Sequence, residues 1–380
     1  MPRWETPLWH IANGGTGVKN LDEIRKEISA IDEKMAQLFE KRMNAAAEVA
    51  AYKKEHALPI FDGNRENELI KANSQIVENS VIREYYVDFL KNNMALSRAY
   101  QARLNEGLRV AYSGVEGAFA HIAAKRMYPE ATLISYPDFE SAYRSVEKGE
   151  CDVAVLPIEN SFAGDVSTVM DLLFSGTLYV NSVLDLEINH CLIGVKGATV
   201  NDVKTVMSHP QALMQCDKYI KEHEFKIVGT QNTAASAKSV KELGKKEFAA
   251  IASEETAELF DLEIIEKGIN QSRTNTTRFV AFSRAQNMLA SDGKHHSNEH
   301  FMLVFTVKNE AGALAKTIDI IGAHRYNMRN LRSRPMKELL WSYYFFVEAD
   351  GNINTQNGKD MLRELSATCD ICKLVGTYRS

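Results

Sequence analysis

The chain has 380 residues, 45% hydrophobic and 25% charged, with a formal net charge of −5. That composition is ordinary for a globular protein of two or three domains, and the charge gives no electrostatic reason to expect nucleic acid or a membrane surface as a partner. No apolar run is long enough to span a bilayer, and five cysteines in so long a chain fit a reducing cytoplasm better than a disulfide framework.

Residues 1–20, MPRWETPLWHIANGGTGVKN, lack the apolar core of a signal peptide and are expected to form a flexible extension carrying Trp4 and Trp9. A long helix is then predicted, starting at Asn20 with Glu23 and stopping at Pro59. Its apolar positions Leu21, Ile24, Ile28, Ile31, Met35, Leu38, Ala45, Val49 and Tyr52 alternate three and four residues apart, as a buried seam requires. Arg42 falls on that seam, where an unpaired guanidinium would be very costly, so an anionic partner is expected. Lys53 lies three helical turns on and projects on nearly the same face. Arg25 is about 100° out of phase with Arg42, which suits it to a partner's pocket in a dimer rather than its own. A second helix opens at Asp62, with Arg65 and Glu66 in its first turn. A third begins near Ser80 and carries Ser97 and Gln101 as an i,i+4 pair. Two cations facing a helical core, ringed by hydrogen-bonding groups, point to a small, multiply anionic ligand.

The stretches LDEIRKEISAIDEKMAQLFEKR, PIFDGNRE and SRAYQ, together with Lys53, resemble the all-helical chorismate mutase family over residues 21–105. The resemblance implies that Arg25, Arg42, Lys53, Glu66 and Gln101 are catalytic and that Asp62, Arg65 and Ser97 bind the substrate, chorismate. Arg42 and the partner's Arg25 would hold carboxylates, while Lys53 and Gln101 donate to the ether oxygen.

After a short joint at 102–107, apolar runs alternate with helical stretches: LRVAY, TLISY, DVAVLPIEN, TLYVNSV, HCLIGV, VKTVMSH, FAAIAS and TRFVAFS. Several are apolar at consecutive positions, as strands covered on both faces are. Residues 108–284 are therefore expected to form an α/β region of two lobes with a cleft at the strand ends. Polar turns follow several runs: Gly114 and Gly117, Glu159 and Asn160, Ser208 with His209. Taken singly, these motifs are ordinary; His209 before Pro210 reads as a helix start as readily as a ligand. Together, AYSGVEGAFAHIAA, VLPIENS, NHCLIGV, SHPQAL, AAIASEETA and NTTRFV resemble prephenate dehydratase, whose fold resembles a two-lobed periplasmic binding protein. The family's DTA motif stands here as Asn232-Thr233-Ala234, and Asn caps a helix as Asp does. The resemblance implies that Thr277 protonates the leaving hydroxyl, with Arg278 holding a carboxylate and Glu159 as a titratable helper. Asn160, Ser208, His209, Asn232, Thr233 and Phe279 would contact prephenate.

Residues 285–298 are polar and read as a linker. From 299 to 380 the predicted order is strand, helix, strand, strand, helix, strand, an α+β ferredoxin-like unit. It resembles the ACT domain, a regulatory amino-acid-binding module. Gly312-Ala313-Leu314 and Ser333-Arg334-Pro335 match its effector motifs, with Arg332 where the family has Glu, a charge reversal expected to weaken binding of the effector, phenylalanine, if the position contacts the ligand or orders the loop and to matter little if it faces solvent. Cys369 and Cys372 form a lone CxxC in a strand-like stretch, without a second pair for zinc. The whole is a multidomain chain resembling the bifunctional mutase–dehydratases of phenylalanine synthesis. It is expected to act as a homodimer or larger homo-oligomer in the cytoplasm, with no metal or organic cofactor. Two alternatives stay open: a mutase with a non-catalytic α/β sensor, and a non-enzymatic solute-binding protein.

Overall fold

The computed structural model describes residues 20–272, 274–289, 298–336 and 342–380. The expected N-terminal extension, apart from Asn20, and most of the expected linker lie outside the described residues. The chain divides into two compact units at Asn105/Glu106.

The first unit is helical: α1 (Leu21–Glu55), α2 (Gly63–Ser74) and α3 (Ser80–Glu106). Asn20 opens α1 with a capping box. Its Oδ1 accepts the Glu23 amide at 2.8 Å, and the Glu23 carboxylate accepts the Asn20 amide at 3.2 Å. Asp62 caps α2 by accepting the Arg65 amide at 3.0 Å. The apolar seam of α1 behaves differently from expectation. Residues 21–41 are all exposed, Leu38 to 64% and Ile31 to 56%, and on α1 only Ala46 and Ala50 are buried. The cause is that, among the described residues, α1 finds its cover only around residues 42–50, opposite Met94, Ser97 and Gln101 of α3.

The second unit begins with β1 (Arg109–Ser113), α4 (Phe119–Met127), β2 (Thr132–Tyr136), α5 (Phe139–Glu147), β3 (Val153–Asn160), β4 (Gly164–Asp165), α6 (Ser167–Ser175) and β5 (Tyr179–Glu187). It crosses into a second lobe of β6 (Cys191–Gly194), β7 (Thr205–Ser208), α7 (Pro210–Gln215), α8 (Asp217–Glu222), β8 (Lys226–Gly229), α9 (Thr233–Leu243), β9 (Phe248–Ala252), α10 (Glu254–Leu259) and β10 (Glu263–Glu266). It returns to the first lobe through β11 (Thr276–Ser283), which pairs antiparallel with β3 and β5. Residues 153–156 are buried throughout, as a strand covered on both faces must be. One face packs on Tyr143, Leu173 and Phe282, the other on Val110, Ala123 and Phe279. The second lobe is a separate sheet in the order β10-β6-β9-β7-β8. Edge strands β8 and β10 were not anticipated from the sequence, because each mixes charge with a very short apolar run.

The chain ends in β12 (Glu299–Thr306), α11 (Ala313–Ala323), β13 (Asn327–Pro335), β14 (Tyr343–Asp350), α12 (Gln356–Thr368) and β15 (Ile371–Arg379). The sheet order β13-β14-β12-β15 is that of a ferredoxin-like βαββαβ unit. Its edge strand β15 continues the first lobe's sheet by pairing with β5 at Gly376 and Val180. A Cβ at 376 would sit 2.5 Å from the Val180 carbonyl oxygen, so the join requires glycine. Cys369 ends α12 and Cys372 lies on β15, both with thiols pushed up by burial, Cys372 to about 12.

Candidate active sites

In the helical unit a cleft of about 340 Å³ is lined by Arg42, Lys53, Asp62, Arg65, Glu66, Ser97 and Gln101, with Arg98 and an apolar floor that includes Val49, Leu69 and Met94. Helical phase brings these side chains together: Arg42 and Lys53 share a face of α1, and Ser97 and Gln101 share a face of α3. Arg42 donates to Ser97 Oγ and, at 3.3 Å, to the Asn93 carbonyl. Lys53 Nζ donates to the Ile60 carbonyl at 2.6 Å. Gln101 is buried, and its Oε1 has no partner among the described residues. Arg98 was missed in the sequence. It pairs with Glu66 and stacks 5.4 Å over the Phe61 ring. Of the eight residues singled out, only Arg25 is elsewhere, exposed and 3.7 Å from Asp22.

In the second unit a cleft of about 790 Å³ lies between the two lobes. The first lobe contributes Gly114, Phe119, Pro157, Asn160, Asp165, Thr277 and Phe279; from the second come His209, Gln211, Gln215, Asn232 and Thr233, with His190 where the chain crosses between them. Asn160 organises the catalytic edge. Its Oδ1 accepts the amides of Phe162 and Ala163 at 3.0 and 2.9 Å. Its Nδ2 donates to Asn275 Oδ1 and to Thr277 Oγ, both at 2.9 Å. Thr277 therefore accepts from Asn160 and keeps its own hydroxyl hydrogen for the cleft. His209 and Asn232 also cap α7 and α9, accepting the amides of Gln211 and Ala235 at 3.2 and 2.7 Å.

Three expected dehydratase residues lie off the cleft. Ser208 is fully buried and donates to the Ile251 carbonyl at 2.6 Å, tying β7 to β9. Glu159 and Arg278 are neighbours of Asn160 and Thr277 in sequence, and successive strand residues face opposite sides of a sheet. Glu159 points to the rear, where it meets Arg332 at 2.5 Å. Arg278 lies there too, bidentate on Asp185 at 2.8 and 3.0 Å and 3.0 Å from the buried Glu348. Its hydrogen bonds to Asp185 hold the guanidinium firmly protonated. Neither residue lines the cleft, so this placement does not fit the expected carboxylate-holding role of Arg278 or the helper role of Glu159.

Several cleft residues had escaped the sequence reading, His190 and Gln215 among them. His190 is 1% exposed, its Nε2 lies 2.8 Å from Gln215 Oε1, and its Nδ1 has no partner among the described residues. Burial pushes its pKa below the usual imidazole value, so it is held neutral. Gln215 closes the pair. The only advance signal was the run NHCLIGV, in which His190 precedes a strand.

In the C-terminal unit Gly312 stands before α11 with φ of 84°, the left-handed region that favours glycine, and Ala313 and Leu314 form the first turn. Along β13 exposure alternates, so Ser333 and Pro335 face away from Arg334 and Arg332. Arg334 is 3.5 Å from Asp171 of α6, while Arg332 reaches Glu159 and Asp165. Ser333, Arg334 and Pro335 therefore do not present one common face.

Residues 24–102 match the family model of chorismate mutase type II, and residues 110–287 that of prephenate dehydratase. Over 381 residues the chain is 30% identical to the bifunctional chorismate mutase/prephenate dehydratase of Enterobacter agglomerans, covering 94% of this chain and 95% of that one. Among solved structures, GqqA, described as a quorum quenching acylase, matches with a TM-score of 0.65 at 29% identity over 72% of this chain and 98% of its own. The prephenate dehydratase from Arthrobacter aurescens, in complex with L-Phe, matches with a TM-score of 0.65 at 25% identity over 72% and 90%. With both segments matched in order and nearly the full length shared, the chain belongs to the bifunctional chorismate mutase/prephenate dehydratase family.

Proposed function

We propose that the helical cleft rearranges chorismate to prephenate and that the two-lobed cleft converts prephenate to phenylpyruvate, water and carbon dioxide. The observation that carries the reading is the convergence of Arg42, Lys53, Glu66, Arg98 and Gln101 on one small cleft. A pericyclic rearrangement needs no nucleophile. It is accelerated by holding a dianion folded and by stabilising charge on the breaking ether oxygen. Arg42, fixed by Ser97 and Asn93, holds a carboxylate. Lys53 and the neutral Gln101 amide donate to the ether oxygen, and Asp62 and Glu66 take the ring hydroxyl.

Arg25 stands seventeen residues before Arg42 on α1, about 25 Å along the axis, far beyond side-chain reach. A second copy of the chain, covering the exposed apolar face of residues 21–41, supplies the partner's Arg25 and completes the site. In the second cleft, the departing carboxylate leaves its bonding electrons to the ring, which becomes aromatic and expels the hydroxyl. Thr277 donates its hydrogen to that departing oxygen, which leaves as water, and the threonine oxygen regains a proton from solvent. Amides at the starts of α4 and α9 meet the substrate's carboxylates. The βαββαβ unit acts as an ACT module that senses phenylalanine at the start of α11. Five free thiols, four of them buried, suit a cytoplasmic enzyme.

Chorismate supplied to purified enzyme tests the reading: prephenate should appear first and phenylpyruvate after it. Prephenate that accumulates without further reaction would favour a mutase with a non-catalytic sensor. No consumption of chorismate would overturn the mutase half, and prephenate left unconsumed when supplied directly would overturn the dehydratase half.

A further inference from the structure

On the rear face of the dehydratase sheet, opposite the cleft, the strand register lines up a row of charge. Asp165 of β4 stands directly opposite Glu159 of β3, Glu159 opposite Arg278 of β11, and Arg278 opposite Asp185 of β5. The Arg278 end of the row is balanced within the lobe. The Glu159/Asp165 end is not: two carboxylates face each other across a ribbon whose second strand has only two residues, an arrangement that pushes its strands apart. The cation that bridges them comes from β13 of the C-terminal unit. Arg332 places one guanidinium nitrogen 2.5 Å from Glu159 and another on Asp165, with its side chain 17% exposed. The ribbon also borders the cleft: on its other face Asn160 stands opposite Gly164, and Ala163 and Gly164 form cleft wall.

We propose that Arg332 is a positioning residue for the dehydratase reaction: it clamps the β3–β4 ribbon and so holds the cleft wall at 163–164 in its substrate-binding shape. Arginine suits this task because its planar fork serves two carboxylates at once. The clamp also makes the cleft wall depend on where β13 sits, since Arg332 immediately precedes Ser333-Arg334-Pro335. Asn160 keeps its own hydrogen bonds to Asn275 and Thr277, so the wall loosens before the catalytic edge does. The inference rests on the two-lobed cleft being the dehydratase site, which prephenate turnover by the unaltered enzyme checks first.

The full-length Arg332→Gln variant is assayed on prephenate and on chorismate. Dehydratase kcat/KM should fall at least tenfold, mostly through a rise in KM, while mutase turnover stays within twofold of the unaltered enzyme. Adding Glu159→Gln to Arg332→Gln removes the carboxylate repulsion and should recover at least half of the lost kcat/KM, and Arg332→Lys should lose less than Arg332→Gln. If Arg332→Gln is insoluble, the double variant is measured alone; it should be soluble and turn over prephenate. Dehydratase activity within twofold in Arg332→Gln, a loss confined to kcat, an equal loss in both activities, no recovery in the double variant, or an insoluble double variant would each overturn the proposal. An unaltered enzyme that ignores prephenate would instead overturn the cleft assignment.

Discussion

Thr277→Val isolates the hydroxyl chemistry of the second cleft, because valine keeps the branched shape and removes only the oxygen. Two losses follow, and the structure separates them. Asn160 Nδ2 loses one acceptor but keeps Asn275 Oδ1 at 2.9 Å and the Thr276 carbonyl at 3.3 Å. The stability cost is therefore that of a single weakened hydrogen bond, about 1 kcal/mol, or roughly 2–4 °C in Tm for a unit of this size. The catalytic cost is larger: a positioned donor to a departing oxygen contributes about 10²–10⁴ in rate. The assay is chorismate turnover followed by ultraviolet absorbance and chromatography. Prephenate should accumulate at the normal mutase rate while phenylpyruvate formation falls by about two orders of magnitude or more. Thr277→Ser should keep much of the activity. Because an alcohol does not titrate near neutral pH, the fractional loss should be the same across the working pH range. Phenylpyruvate at the unaltered rate in Thr277→Val would refute the assignment.

Other variants test other links. Arg42→Ala should lose mutase turnover by several orders of magnitude while prephenate turnover survives. Heterodimers of Arg42→Ala and Arg25→Ala chains should regain part of that activity, because one hybrid site receives both arginines; chromatographically verified heterodimers without recovery would mean that each site is built within one chain. Gly376→Ala places a methyl against the Val180 carbonyl, an overpacking typically worth about 1–3 kcal/mol; calorimetry should show the second unit melting lower. Buried His190 has a depressed pKa, so below about pH 6.5 the unfolded chain takes up a proton that the folded chain refuses. Stability should therefore fall as pH drops through that range and be flat above it, and His190→Gln should flatten the Tm profile.

The mutase cleft was legible in the sequence because an α-helix has one fixed period. Once Arg42 sat on the apolar stripe, Lys53 had to follow it, and the same rule put Ser97 with Gln101. Arg98 was not legible, since its partnership with Glu66 depends on how α2 meets α3. Nor was the exposure of residues 21–41: a stripe on one helix says that it will be covered, not by which chain. In the second unit the motifs marked the cleft-lining Asn160 and Thr277 but also drew in their rear-face neighbours. VLPIENS and NTTRFV each set a cleft residue beside a rear-face residue, Asn160 next to Glu159 and Thr277 next to Arg278. Residue type alone kept the charged neighbours, Glu159 and Arg278, as candidates beside Asn160 and Thr277. A strand's period of two puts only one of each pair in the cleft, and the Asn160–Thr277 hydrogen bond identifies which.

That alternation gives the two strands a double use. On their cleft side β3 and β11 carry Asn160 and Thr277; one residue away, on the rear, they carry Glu159 and Arg278. Each rear residue is held by the C-terminal unit, Glu159 by Arg332 of β13 and Arg278 by Glu348 of β14. Glu348 is buried and also accepts from Tyr378 of β15, so three of the module's four strands reach this face. The join at Gly376 fixes the distance between the sheets by direct backbone contact, leaving side-chain ion pairs as the adjustable part. A ligand that shifts β13 relative to β14 would act on the two pairs unequally, opening one carboxylate ribbon while the Arg278–Asp185 pair inside the lobe keeps β11 in place. On this geometry a ligand that moved β13 would change the shape of the cleft wall before it disturbed Thr277, and any inhibition it caused should appear first in KM for prephenate.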